Sequence, residues 1–303
     1  MKIGTGADRV GLACLLFATV GWGLNWPIIK LLLRDWPPLF ARGSAGLFAA
    51  AALFAYAAMK RDRLAVPRGS RLRLCWLSFT NVFAFMGFSA IALIWLTPGE
   101  GALLVYTMPI WATLLAWPVA GVRPDGRTIL ALALCVAGSA ALFAESATSL
   151  QTDKWPGAAL ALAAAVLLAL GTVSSRGPLD MPPVVSTAWQ VLLGSAPMVA
   201  LALVFDPPEL GRLSGVGFAA WAYMATIPMG LCYLTWFAAV GRLSAPVAAI
   251  GSLLVPVVGV LASAPVLGAP LAGRELAGLV LTLSGLLLVL TRRRAAGAAR
   301  PAD

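Results

Sequence analysis

The stretch Leu96–Leu142, LTPGEGALLVYTMPIWATLLAWPVAGVRPDGRTILALALCVAGSAAL, occurs twice in this chain. Moved along by 147 positions it lands on Leu243–Val289, LSAPVAAIGSLLVPVVGVLASAPVLGAPLAGRELAGLVLTLSGLLLV. Pro109 falls on Pro256, Pro118 on Pro265, Gly121 on Gly268, Gly126 on Gly273, Arg127 on Arg274 and Gly138 on Gly285, with no gap. Matched Leu and Ala mean little between two apolar segments. Matched Pro, Gly and Arg at one constant offset point to an internal duplication.

The sequence around this repeat is built for lipid. Of its 303 residues 60% are hydrophobic and 11% charged, and the mean hydropathy is +0.90. A soluble domain carries about 25% charge, so this much apolar surface belongs in a bilayer. Ten runs reach the ~20 residues that a hydrocarbon core requires: 10–30, 39–59, 73–95, 98–119, 127–145, 156–175, 184–205, 215–238, 245–265 and 273–291. The gaps between them are short. The first run continues into Trp26-Pro27 and is followed by many more, which argues against a cleaved signal peptide. Helix-start chemistry marks several runs: Thr97-Pro98-Gly99-Glu100 reads as N-cap, Pro at N1 and a capping-box Glu, with similar starts at Asp153/Pro156 and Ser244/Pro246.

The net charge of +10 is not that of a nucleic-acid binder, because the basic residues sit in the gaps and not on an aromatic-studded face. With the N-terminus in the cytoplasm, sixteen Lys and Arg fall inside and five outside, which leaves Arg42 within the second span. That bias places both termini in the cytoplasm of a multi-pass inner-membrane protein. An offset of 147 covers five spans, an odd number, so the two copies enter the membrane in opposite senses. The expected fold is all-α and polytopic: ten transmembrane helices as two inverted five-helix repeats, residues 1–150 and 151–303, the second ending in a basic tail. Inverted repeats of this kind are an architecture of secondary transporters, with one midplane site shared by both halves.

Residue by residue, the chain resembles the drug/metabolite transporter superfamily, in particular proteins with two tandem EamA domains. Gly21-Trp22-Gly23-Leu24-Asn25-Trp26-Pro27-Ile28-Ile29-Lys30 is similar to that family's "WG-x-N-…-K" opening, and Arg42 to its arginine early in the second span. Leu103–Gly121 and Leu253–Gly268 resemble its repeated proline-bearing helix that ends in a Leu-Gly turn. The resemblance implies a carrier of amino acids or related metabolites, and overall similarity points to the bacterial exporters. One feature departs from the family: its frequent Gly-Glu between the fourth and fifth spans of each half is replaced by Gly121-Val122-Arg123 and Gly268-Ala269-Pro270.

No acid lies mid-span and the chain has no His, which argues against a proton relay and for facilitated diffusion or exchange. It also excludes an HExxH zinc site and a Ser-His pair. Cys14, Cys75, Cys135 and Cys232 are isolated small hydrophobes, with no metal-ligand spacing. No cofactor or metal is expected. Polar side chains that persist inside spans face the bundle interior. This selects Asn25 with Trp22 and Ile29 on one face, Asn81 with Phe85, the pair Trp189-Gln190 (cavity wall or helix glue), Tyr106, Ser252, Tyr223 and Tyr233. Such a set, with no fixed mid-membrane charge, suits a small zwitterion or neutral metabolite. Arg42 is expected to snorkel to the nearer face, with a substrate carboxylate as its other reading.

Pro109, Pro118, Pro256 and Pro265 interrupt the fourth and ninth spans in matched pairs and are candidate hinges. The expected protein is a transporter working as a monomer or homodimer, with a small-molecule substrate and membrane lipid as its partners. A membrane enzyme acting on a lipid or small molecule, or a channel, is the alternative.

Overall fold

The computed structural model describes residues 6–121, 154–175, 179–243, 251–268 and 273–298, with 126, 129–131, 133–134, 137–138 and 247–248. Among them every regular element is helical: α1 (Gly6–Leu32), α2 (Pro38–Met59), α3 (Arg68–Ala92), α4 (Pro98–Val105), α5 (Met108–Ala120), α6 (Trp155–Ser174), α7 (Pro183–Phe205), α8 (Gly215–Val240), α9 (Leu254–Leu267) and α10 (Gly273–Ala298). The fourth expected span is divided into α4 and α5, so these labels do not number the spans.

Seven stretches are long and apolar enough to cross a membrane: α1 from Arg9, α2, α3, α4 with α5, α6, α7 and α8. They coincide with the first four and the sixth to eighth runs of the sequence. The third starts at Arg68 and stops at Ala92, earlier than hydropathy suggests, because a turn of 3-10 helix precedes the apolar run. Helix α9 and the apolar part of α10, Glu275–Gly285, are shorter. Most of the fifth expected span, 127–145, and the Ser244/Pro246 start lie outside the described residues. Helix α6 begins at Trp155 with Lys154 in the capping position, and Asp153 is also outside. Large apolar side chains such as Val204, Phe205, Phe218 and Val280 stand exposed on the bundle's outer surface. Such a surface is satisfied by acyl chains and not by water. This is a multi-pass membrane protein.

The duplication has structural counterparts. Gly121 ends α5 at φ +71° and Gly268 ends α9 at φ +70°, both left-handed caps that residues with a Cβ adopt at a cost. The chain breaks at Tyr106-Thr107 and again at Ser252-Leu253, just before Pro109 and Pro256. Helices α3 and α8 each contain π-helical turns, Phe79–Phe88 and Ile227–Leu231. Packing is exchanged in the same symmetric way. Helix α1 lies on α8 and α9, while its counterpart α6 lies on α3, α4 and α5. Helices α2 and α7 pack along each other. There the backbones approach so closely that a Cβ on Gly46 would collide with the Ser195 hydroxyl, the small-residue contact that membrane bundles use in place of a hydrophobic drive.

The prolines act differently from simple kinks. Pro109 and Pro256 lie in the first turn of α5 and α9, where a missing N–H is harmless, and the span is interrupted just ahead of them. Pro118 and Pro265 lie inside the last turns of the same helices.

Candidate functional site

Among the described residues, two hollows of a size to hold a small molecule stand out. One, of about 520 Å³, is a surface recess at the loop end of the bundle, lined by Lys30, Arg34, Asp35, Asp206, Glu209 and Arg212. Its Arg212–Glu209 pair is solvated, 71% and 65% exposed, and Lys30 and Asp35 are engaged by protein groups. The other, of about 410 Å³, lies inside the bundle and takes its walls from both halves of the chain. A largely apolar interior pocket with a few convergent polar groups is the usual form of a small-molecule site, and this second cavity is the candidate.

Eight of the ten residues singled out by sequence stand on its wall: Trp22, Asn25, Asn81, Phe85, Tyr106, Gln190, Tyr233 and Ser252, with Pro109 beside them. The face of α1 runs Trp22, Asn25, Trp26; Ile29 instead belongs to the core and is fully buried. The Trp22 indole donates to the Pro228 carbonyl at 2.9 Å, a bond from α1 to the π turn of α8. Its ring meets Tyr233 edge-on at 5.6 Å and Trp236 at 5.6 Å, so three aromatic rings form one continuous wall. Across the cavity, Asn81, Phe85 and Ser89 follow one another four residues apart on α3. The wider turn of a π-helix keeps that spacing on one face, and such turns recur at functional sites. Asn81 donates to the Gln190 side-chain oxygen at 3.1 Å, and Gln190 donates to Ser186 at 3.1 Å. A chain of amides thereby ties α3 to α7 along the wall.

Two residues selected from the sequence are elsewhere. The Trp189 indole donates to the Leu64 carbonyl at 2.9 Å and packs edge-on against Phe54, so it anchors a loop. Its neighbour Gln190 is turned about 100° around the helix, which is why one of the adjacent pair reaches the cavity and the other does not. The Tyr223 hydroxyl donates to the Gly21 carbonyl at 2.8 Å and fastens α8 to α1.

Arg42 requires a correction. It does not snorkel; it is 6% exposed and lines the cavity from the first turns of α2. Its side chain turns inward onto the cavity and α1 instead of along α2 toward the helix end. Asn25 meets it: with the amide turned so that its oxygen faces the guanidinium, that oxygen accepts from Nη1 and Nη2 at 3.3 and 3.2 Å. Nε has no hydrogen-bond partner. The cavity therefore does carry a fixed charge, and the expectation of a charge-free site is overturned. Trp26, Ser89, Thr187, Met229 and Trp236 also line it and were missed. Each stands three or four residues from a chosen one (Trp26 from Trp22, Ser89 from Phe85, Thr187 from Gln190, Met229 and Trp236 from Tyr233), so helical spacing was the signal that could have found them.

Glu100 is off the cavity wall. Its carboxylate is fully buried and accepts from the Thr97 amide at 2.9 Å, completing the capping box, and from Lys154 Nζ at 2.8 Å. Thr97 Oγ1 donates onward to Glu275 at 3.1 Å. Lys30 Nζ donates to the Leu93 and Leu96 carbonyls near the same end. This rim cluster joins α4, the start of α6 and the start of α10. Among the described residues no group of three His, Cys, Asp or Glu could hold a metal ion.

Comparison with known proteins agrees with this architecture. The model of the EamA-like transporter family matches twice, over residues 9–144 and 155–291. Proteins named probable amino-acid metabolite efflux pump in Salmonella typhimurium and Escherichia coli are 28% and 27% identical to this chain. The alignments cover 90% and 92% of this chain and 92% and 93% of theirs. An uncharacterized protein of Pseudomonas aeruginosa is 30% identical over 94% of this chain and 96% of its own. A crystal structure at 22% identity superposes with a TM-score of 0.64, covering 94% of this chain and 99% of its own, which shows a shared fold. The double match bears out the resemblance seen in the sequence: this chain belongs to the EamA-like transporter family.

Proposed function

We propose that this transporter moves small amino-acid-related metabolites across the bacterial inner membrane by alternating access through the 410 Å³ cavity. The observation that carries the reading is that both halves of the duplicated chain build the wall. Asn25, Asn81 and Tyr106 come from the first, and Gln190, Tyr233 and Ser252 from the second. A rocking motion of one half against the other opens such a cavity to each side in turn. The exchanged packing of α1 and α6, with helices interrupted at Tyr106-Thr107 and Ser252-Leu253 just ahead of Pro109 and Pro256, supports that picture. The arrangement is read as two five-helix units, 1–150 and 151–303, inverted in the membrane with both termini cytoplasmic. That orientation rests on the Lys and Arg distribution.

The efflux pumps to which the chain is similar support export of amino-acid metabolites. Purified protein in liposomes, preloaded with unlabelled compound and given a labelled amino-acid panel outside, tests the carrier reading. Transient uphill counterflow that saturates is expected. Non-saturating flux would indicate a channel, and no flux with any compound would contradict transport of this class.

A further inference from the structure

Among the described residues, the cavity wall carries one buried cation, Arg42, and no Asp or Glu. Arg42 is 6% exposed; among the described residues its guanidinium hydrogen-bonds the neutral Asn25 amide, has the neutral Tyr233 phenol nearby, and keeps Nε without a hydrogen-bond partner. No Asp or Glu is among the residues lining the cavity, and Glu100 at the rim is already engaged by Lys154. The rest of the wall is uncharged: aromatic rings and amides, with Trp22, Tyr233 and Trp236 on one side and Asn81, Phe85 and Gln190 on another, among hydroxyl and aliphatic side chains. A guanidinium held without a counter-ion in a low-dielectric pocket favours an anion, and its planar fork matches a carboxylate. A second cation brought in beside it, such as the ammonium of a zwitterion, finds ring faces, amide oxygens and neutral hydroxyls but no carboxylate among the described lining residues, and is repelled by Arg42.

We infer that the cargo is a monocarboxylate whose remainder is uncharged and largely apolar, such as an N-acylated or deaminated amino-acid derivative. Arg42 takes the carboxylate and the aromatic wall takes the body. This inference rests on the carrier reading above and sharpens it. It also sets a direction. Each net turnover moves one negative charge with its cargo, and no titratable acid in the cavity brings a proton along. A membrane potential negative inside therefore drives the cargo outward. At ~2.3 kcal/mol per charge per 100 mV this amounts to about a fifty-fold outward gradient per 100 mV. An exporter needs no coupled ion if its cargo is an anion.

The test uses the full-length protein in liposomes at pH 7, with potassium diffusion potentials of either sign and three labelled probes: N-acetyl-L-phenylalanine, its methyl ester and free L-phenylalanine. N-acetyl-L-phenylalanine should accumulate above its external concentration when the interior is positive and be expelled when it is negative. The ester, which lacks the charge, should neither accumulate nor compete. Arg42→Gln should lower the acetyl-amino-acid flux about a hundred-fold or more, with monodisperse elution retained, and Arg42→Lys should restore part of it. If Arg42→Gln does not fold, the ester comparison on the wild-type protein decides alone: equal competition by the ester overturns the inference. Potential-independent transport of L-phenylalanine with no flux of the acetyl derivative also overturns it, while leaving the carrier reading standing. Absence of saturable counterflow for every compound sinks the carrier reading itself.

Discussion

Two buried polar clusters in this bundle, Arg42 with Asn25 on the cavity wall and Glu100 with Lys154 at the rim, are built in opposite ways. At the rim the buried Glu100 has its opposite charge: it receives a lysine and a backbone amide, and Thr97 passes a hydrogen bond on to Glu275. On the cavity wall, among the described residues, the charge has no acid beside it, hydrogen-bonds a neutral amide and keeps one donor unsatisfied. Burying a charge is costly unless it is paired. The paired cluster is therefore read as structure, and the unpaired one as a place reserved for something that arrives.

That contrast predicts opposite phenotypes, and the largest effects fall on these two sites. Arg42→Gln should cut transport by about two orders of magnitude and leave the melting temperature in detergent unchanged or raised, because an uncompensated buried charge is removed. Glu100→Ala should do the reverse. Lys154 loses its ion-pair partner and α4 loses the glutamate half of its capping box, for a loss of about 3 to 5 kcal/mol of stability. The KM of whatever protein folds should stay near the wild-type value. If both variants lose stability and neither changes transport, the distinction between the clusters fails.

Smaller effects grade the cavity wall. Tyr233→Leu, which breaks the aromatic wall, should raise KM for an aromatic cargo by several-fold, in line with the ~0.5 to 1.5 kcal/mol an aromatic contact contributes. Asn81→Leu leaves Gln190 without its amide partner and should cost about 1 to 3 kcal/mol of stability or binding, divided between melting temperature and KM. Smallest are Trp189→Phe and Tyr223→Phe. Each gives up one hydrogen bond to a carbonyl, about 1 kcal/mol, off the cavity, so melting temperature should drop slightly and transport kinetics stay unchanged. A KM change in either variant would extend the site beyond the walls assigned to it.

Much of the bundle was legible in the sequence because its signals are local. A run of about 20 apolar residues, a Thr-x-x-Glu start and a Gly at a helix end each act within a few residues, and α1, α2 and α4 to α8 follow them closely. The matched Gly121 and Gly268 were legible as a pair because only a left-handed cap calls for Gly at both places. The site was less so. Arg42 looks like a residue able to reach the surface, and only the approach of α1, with Asn25 facing it, shows that it turns inward. Trp189 and Gln190 are adjacent, and sequence alone does not say which of them points to the cavity. The breaks at Tyr106 and Ser252, placed ahead of the prolines and not at them, depend on how the half-helices pack.

The central claim, that the shared cavity is the path, is tested most directly by its accessibility from each side. With the four native cysteines replaced by alanine and Ser252→Cys introduced into the wall, membrane-impermeant maleimide is applied to oriented vesicles from one face and then from the other. The account predicts labelling from both faces and slower labelling when a transported compound is present. Labelling from one face only, indifferent to any transported compound, would contradict it.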